Sequence, residues 1–223
     1  MTYVPTPAPI LSVLCGSRLY GTHRPDSDFD VRSVFVTPIE DLIGLTPPSD
    51  NFTRKEGDLD VAQWEAGKFV HMALKGSFTA LELLYAPEAN YLHVTAPGRL
   101  LLDNRDLFLT DAVRSGLLGF VQGQIKETQR TGLTKPLSHA IRVLFTLDAL
   151  HETGTLSFCL PNLREKIGAV LAACDTDQLR GWVESVTVRR SVLPMEPNLA
   201  AIKKLLLDVR YLEERLDYTD EPV

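Results

Sequence analysis

Between Cys15 and Arg32 the sequence places a Gly16-Ser17 pair, ten further residues and then Asp28-Phe29-Asp30. The two aspartates open a stretch, Phe29–Val36, rich in β-branched and aromatic residues, which predicts a strand. In a strand, residues i and i+2 point to one face, so both carboxylates project together while Phe29 turns away. Carboxylates that close repel each other unless a cation lies between them, and oxygen ligands suit a hard divalent ion such as Mg²⁺. Gly16-Ser17 follows an apolar run, Ile10–Cys15, that predicts a buried strand, and precedes a short helical turn at Arg18–Gly21. Backbone N–H groups at such a turn can cradle phosphate oxygens, with glycine allowing close approach and the Ser17 hydroxyl adding a donor. A phosphate cradle beside a carboxylate pair is an arrangement for phosphoryl transfer. Two metal ions there would clamp the attacking and leaving oxygens of an in-line displacement.

A P-loop is excluded. Gly16 and Gly21 have the right separation, but Thr22-His23 stand where that motif requires Lys followed by Ser or Thr.

Metal-assisted phosphoryl transfer calls for a third carboxylate on a neighbouring strand. Asp60, in Asp58-Leu59-Asp60-Val61, is the leading candidate, and Asp58 shares its face if the strand is regular. Arg18 and Arg32 are either ion-pair partners of the acidic cluster or neutralising groups for a triphosphate. Arg32 has the strand parity of Asp28 and Asp30. Lys68, in the helix after Asp60, is either an exposed lysine or a phosphate contact. His139 and Arg142 are spaced i, i+3 and share one helix face, which is either the polar face of a bundle helix or the lining of a cleft.

The elements that must position these residues follow from periodicity and punctuation. Pro47–Asn51 is a loop, and Phe52–Arg54 with Asp58–Gln63 form a hairpin about Glu56-Gly57. Helices are expected over Trp64–Lys75 and Phe78–Leu84, with an edge strand at Tyr91–Val94. Beyond residue 105 the pattern is helical: Thr110–Arg130, Pro136–Glu152, Pro161–Ala173, Asp175–Ser191 and Pro197–Leu216. The expected fold class is therefore α+β: a small mixed sheet with flanking helices in residues 1–105, then an α-helical domain in residues 106–223 that packs on it and closes a cleft.

The 223 residues carry 44% hydrophobic side chains, enough to bury a core, and a net charge of −6. That charge argues against sequence-independent duplex binding over a broad surface and leaves a local basic patch as the route to a nucleic acid. Cys15, Cys159 and Cys174 are widely spaced, with no CxxC pair, and read as free thiols. Thr2–Pro9 reads as a flexible proline-rich lead-in without the pattern of a signal peptide, and no apolar run is long enough to span a bilayer. A soluble, cytoplasmic protein with no membrane contact is expected.

The order Gly-Ser, Asp-x-Asp and a later strand aspartate resembles the DNA polymerase β-like nucleotidyltransferase superfamily. The wording is closer still to its RNA-repair-associated polymerase β branch. Gly16-Ser17-Arg18-Leu19-Tyr20-Gly21, Ser27-Asp28-Phe29-Asp30-Val31-Arg32, Lys75-Gly76 with Leu81-Glu82-Leu83-Leu84, and His139-Ala140-Ile141-Arg142 with Thr153-Gly154 carry that resemblance over about residues 10–155. It implies a polymerase β-like fold, two Mg²⁺ ions (or Mn²⁺) on Asp28, Asp30 and Asp60, and a nucleoside triphosphate donor. It also favours the cleft reading of His139 and Arg142, which join Gly16, Ser17, Arg18, Arg32 and Lys68 as the expected nucleotide or phosphate contacts. The chain departs from the branch at Lys75-Gly76-Ser77-Phe78, where relatives read Lys-Gly-Asn-Pro.

Three functions fit these expectations. One is addition of nucleotides to an RNA 3′ end, such as that of a tRNA. A second is nucleotidylation of a protein or small molecule. The third is a non-catalytic regulatory module, against which the intact carboxylate set argues.

Overall fold

The computed structural model describes residues 7–173 and 176–217. Most of the lead-in and Cys174 lie outside them. Five strands, β1 (Pro9–Leu14), β2 (Phe29–Phe35), β3 (Asn51–Glu56), β4 (Leu59–Glu65) and β5 (Tyr91–Val94), form one sheet in the order β3-β4-β2-β1-β5. The β2–β4 pair is parallel and the other pairs are antiparallel, so the sheet is mixed, as expected. β1 lies between β2 and β5 with Ile10, Leu11 and Val13 fully buried, which explains its continuous apolar run.

Short helices α1 (Gly16–Leu19) and α2 (Ile39–Leu42) leave the ends of β1 and β2. Next come α3 (Ala66–Leu74), α4 (Phe78–Leu84) and α5 (Ala96–Asp103). α3 starts two residues later than its spacing predicts, because Trp64 and Glu65 complete β4. Glu65 then caps the helix by accepting from the Gly67 N–H at 2.6 Å. The sequence reading left α5 unassigned. Its signal is short: Thr95 caps the Gly98 N–H, and Pro97 occupies the first turn, where its missing N–H costs nothing.

The second half is helical: α6 (Asp111–Thr131), α7 (Thr134–Thr153), α8 (Leu163–Ala173), α9 (Thr176–Val188) and α10 (Leu199–Asp217). α6 and α7 are joined by two residues and pack along their length, with α8 and α9 against α7. α10 returns to the strand half, packing on α5 and α3. The buried ion pair of Arg210 with Glu65, at 2.7 Å, and the Ile39 N–H donated to Glu214 at 3.1 Å fasten it there. One continuous apolar core runs from β1 through α3 and α4 into α6, α7 and α10.

At the Lys75–Phe78 turn the strand half packs closely against α6. Gly76 has φ +67°, and a Cβ there would lie 2.2 Å from the Ala112 carbonyl oxygen. The Phe78 ring stacks on Phe120 of α6 with centroids 4.3 Å apart. This turn is packed rather than open, so Phe78 fills space between α4 and α6. No helix of the described residues is long and apolar enough to cross a membrane.

Candidate active site

The parallel register sets Asp30 of β2 opposite Asp60 of β4. Register partners on adjacent strands share a face, so these side chains stand on the same side of the sheet. Arg32, two residues along β2, lies with them: its guanidinium is 3.1 Å from Asp30 Oδ1 and 3.4 Å from Asp60 Oδ1, and it donates to the Asp60 carbonyl at 3.0 Å. On β3, Lys55 is the register partner of Asp60 and approaches Asp28 Oδ2 at 3.5 Å. Asp28, Asp30 and Asp60 are thus gathered at one end of the sheet, each facing a basic side chain. Among the described residues, no three His, Cys, Asp or Glu side chains converge closely enough to hold a metal ion in this arrangement. Asp58 sits in the exposed β3–β4 turn, where its carbonyl accepts the Phe29 N–H at 2.7 Å. This backbone bond clips the start of β2 to the turn before β4.

Gly16 stands directly against this group. Its φ is +66°, and a Cβ built on it would fall 2.1 Å from Asp30 Oδ2. Only glycine lets the turn after β1 come this close to the carboxylate. The Cys15 N–H donates to the Asp30 carbonyl at 2.7 Å, locking the two segments together. Arg18 braces the far side. It donates to the Ser27 carbonyl at 2.8 Å and the Asp28 carbonyl at 3.3 Å, and its guanidinium lies 3.6 Å over the Phe29 ring. Arg18 therefore holds the loop that delivers Asp28. Ser17 is half-buried, and its hydroxyl makes no hydrogen bond among the described residues.

Behind the turn lies a polar group that sequence reasoning did not assemble. Glu82 of α4 is buried and accepts the Tyr20 hydroxyl at 2.5 Å. Burial pushes the Glu82 carboxyl up, while the Tyr20 hydroxyl, the Arg142 charge and the Gly16 N–H oppose that rise. Arg142 of α7 is buried too, with its guanidinium 3.4 Å over the Tyr20 ring. Its stacking on Tyr20 places it beneath the turn and not at the surface of a cleft. His139, one turn earlier on α7, is half-buried; burial, then the Arg142 and Lys135 charges, hold its pKa down to about 4. It is neutral at physiological pH.

Lys68 is not brought to the carboxylates. Its ammonium is bonded to Asp50 and Asn51, both at 2.7 Å. Asn51 is paired with Trp64, at the opposite end of β4 from Asp60. Cys15 and Cys159 are free thiols, the first buried.

The chain matches the RNA repair pathway DNA polymerase beta family over residues 8–172. That span takes in the whole sheet, the carboxylate group, the Gly16–Ser17 turn and the α6–α7 pair. The chain belongs to this family. It is also similar to an uncharacterized 38.9 kDa protein of Enterobacteria phage T4, from the nrdC-mobD intergenic region, with 32% identity over 119 residues. That similarity covers 49% of this chain and 35% of the phage protein, so the chain spans about a third of its relative's length. Membership bears out the resemblance to the RNA-repair-associated polymerase β branch and is consistent with the α+β class.

Proposed function

We propose that the chain transfers a nucleoside monophosphate from a nucleoside triphosphate to a hydroxyl of RNA, releasing pyrophosphate. The observation that carries this reading is the register of Asp30 with Asp60 beside a glycine turn that no side chain could occupy. These donors are all oxygen, lie at the sheet's end and are met by the cationic side chains of Arg32 and Lys55, a chemistry that fits Mg²⁺ and disfavours softer ions. Asp28 and Asp30 would hold the ions shared with the triphosphate, and Asp60 would complete the set on the acceptor side. Bound there, Mg²⁺ supplies charge neutralisation for the phosphates and acidifies the attacking hydroxyl.

The chain's own groups do the positioning. Ser17 donates its hydroxyl to a phosphate oxygen, and Arg32 keeps Asp30 and Asp60 aimed to one side. Asp60 accepts the proton of the RNA hydroxyl as its oxygen bonds to the α-phosphorus and the bond to pyrophosphate breaks. Such a site works by orientation and preorganised charge more than by covalent chemistry.

Family membership favours RNA as the acceptor class, and nucleotidylation of a protein is the competing outcome. Incubation with each α-labelled nucleoside triphosphate and Mg²⁺, with tRNA in one arm and total cell protein in the other, separates them. Label in RNA supports the proposal, and label confined to protein replaces it.

A further inference from the structure

The sheet order β3-β4-β2-β1 puts the Gly16–Ser17 turn and the β3 edge on opposite flanks of the carboxylates. Gly16, just after β1, stands against Asp30. In the other direction, register sets Asp30 opposite Asp60, and Asp60 opposite Lys55 of β3. Asp30, Asp60 and Lys55 thus form one row across three strands, on one face. Arg54 and Glu56, the neighbours of Lys55 on β3, alternate to the other face, where they pair with each other. Of the two basic residues of β3, Lys55 is the one that shares the face of the site.

Two cations meet the carboxylates, and they differ in kind. The Arg32 side chain is 18% exposed, bound to both Asp30 and Asp60 and to the Asp60 carbonyl. The Lys55 side chain is 66% exposed and stands 3.5 Å from Asp28 Oδ2, longer than an ordinary hydrogen bond. A lysine on an edge strand can guard a sheet against pairing with another chain. That task needs only charge at the edge and gives no reason for the ammonium to lean inward to Asp28. A loosely paired, solvent-facing ammonium on the flank away from the phosphate cradle is placed to meet a second anion arriving at the carboxylates. With the donor's phosphates at the Gly16–Ser17 turn, that anion belongs to the acceptor. RNA carries a backbone phosphate beside its terminal hydroxyl, whereas a protein hydroxyl carries none.

We propose that Lys55 binds the acceptor RNA, taking the backbone phosphate next to the attacking hydroxyl on the β3 side of Asp60. The inference rests on the RNA-transfer reading and deepens it: nucleotide is held from the β1 side of the carboxylates and RNA from the β3 edge. Lys55 takes no part in bond making.

The test compares wild type, Lys55→Gln and Lys55→Arg. A short 5′-fluorescein-labelled single-stranded RNA is titrated by anisotropy at several potassium chloride concentrations, and MgATP, MgCTP, MgGTP and MgUTP are titrated separately by calorimetry. Each single-strand phosphate neutralised contributes about 0.7 to the slope of log affinity against log salt. In Lys55→Gln that slope is therefore shallower by about 0.7 and RNA affinity falls about fivefold at roughly 0.1 M salt, while nucleotide affinity stays at the wild-type value. Lys55→Arg keeps the wild-type slope, which a purely structural lysine has no reason to require. A wild-type slope in Lys55→Gln overturns the proposal. So does a loss confined to nucleotide affinity, which assigns the lysine to the donor's triphosphate instead. A wild type that binds nucleotide and not RNA sinks the RNA-transfer reading itself, and the assignment of Lys55 falls with it.

Discussion

Asp30 and Asp60 face each other across two parallel strands, and one guanidinium, that of Arg32, contacts both carboxylates at 3.1 and 3.4 Å. Each strand contributes its carboxylate at a backbone position fixed by ladder hydrogen bonds, so the pair is more rigid than one carried on loops. The arrangement also explains why the Gly-Ser turn must be where it is. The Asp30 side chain fills the space in front of Gly16.

Gly16→Ala should therefore be more harmful than an ordinary glycine substitution. The new methyl would sit 2.1 Å from Asp30 Oδ2 at a backbone φ of +66°. Left-handed strain alone costs on the order of 1–3 kcal/mol, and the clash adds to it. Urea unfolding should show a loss of at least that size, accompanied by loss of nucleotide transfer. A variant as stable and active as wild type would mean that the turn does not approach Asp30.

The buried ion pair between the C-terminal helix and the strand half should be costly to break from one side only. Arg210 and Glu65 are 2.7 Å apart, with side chains 10% and 6% exposed. Removing one partner leaves a buried charge, so Arg210→Ala should destabilise the protein by roughly 3–5 kcal/mol. The double variant Arg210→Met/Glu65→Met should recover much of that loss, since neither charge is then stranded. Chemical denaturation of the three proteins checks both expectations, and equal stability of single and double variants would contradict them.

His139 should make the protein acid-sensitive in a defined window. Its folded pKa is held down to about 4 from the ordinary 6.5. Between these values the unfolded chain binds a proton that the folded chain does not, so stability falls as pH drops. The contribution is complete above about 6.5 and is lost on descending through about 4. Unfolding free energy measured across that range should fall less steeply in His139→Gln than in wild type. Parallel curves would show that the imidazole titrates normally in the fold.

Much of the candidate site was legible because it is local. Gly16, Ser17, Asp28 and Asp30 lie within one strand–turn–strand unit, where i, i+2 parity and turn chemistry determine which groups meet. Asp60 was legible as a type of residue, but its choice over Asp58 depended on where β4 begins, and that is set by pairing with β2 and β3. Glu82 and Arg142 were less so. Their meeting at Tyr20 joins α4, α7 and the turn after α1, and no periodicity encodes such a contact. Lys68 shows the same limit in reverse, since a helix following Asp60 starts from the other end of the strand. The return of α10 to α3 and α5 rests on a pair 145 residues apart, Glu65 and Arg210.

We propose that Asp28, Asp30 and Asp60 together perform Mg²⁺-dependent nucleotidyl transfer. The most direct test is the rate of label transfer from an α-labelled nucleoside triphosphate to RNA by wild type, Asp28→Ala, Asp30→Ala and Asp60→Asn, with folding verified by circular dichroism. Wild type should transfer label only when Mg²⁺ is present, and each variant should be folded and slower by about a thousandfold, the scale seen when one electrostatic group is removed from a preorganised site. Wild-type rates in folded Asp28→Ala and Asp30→Ala would contradict the account.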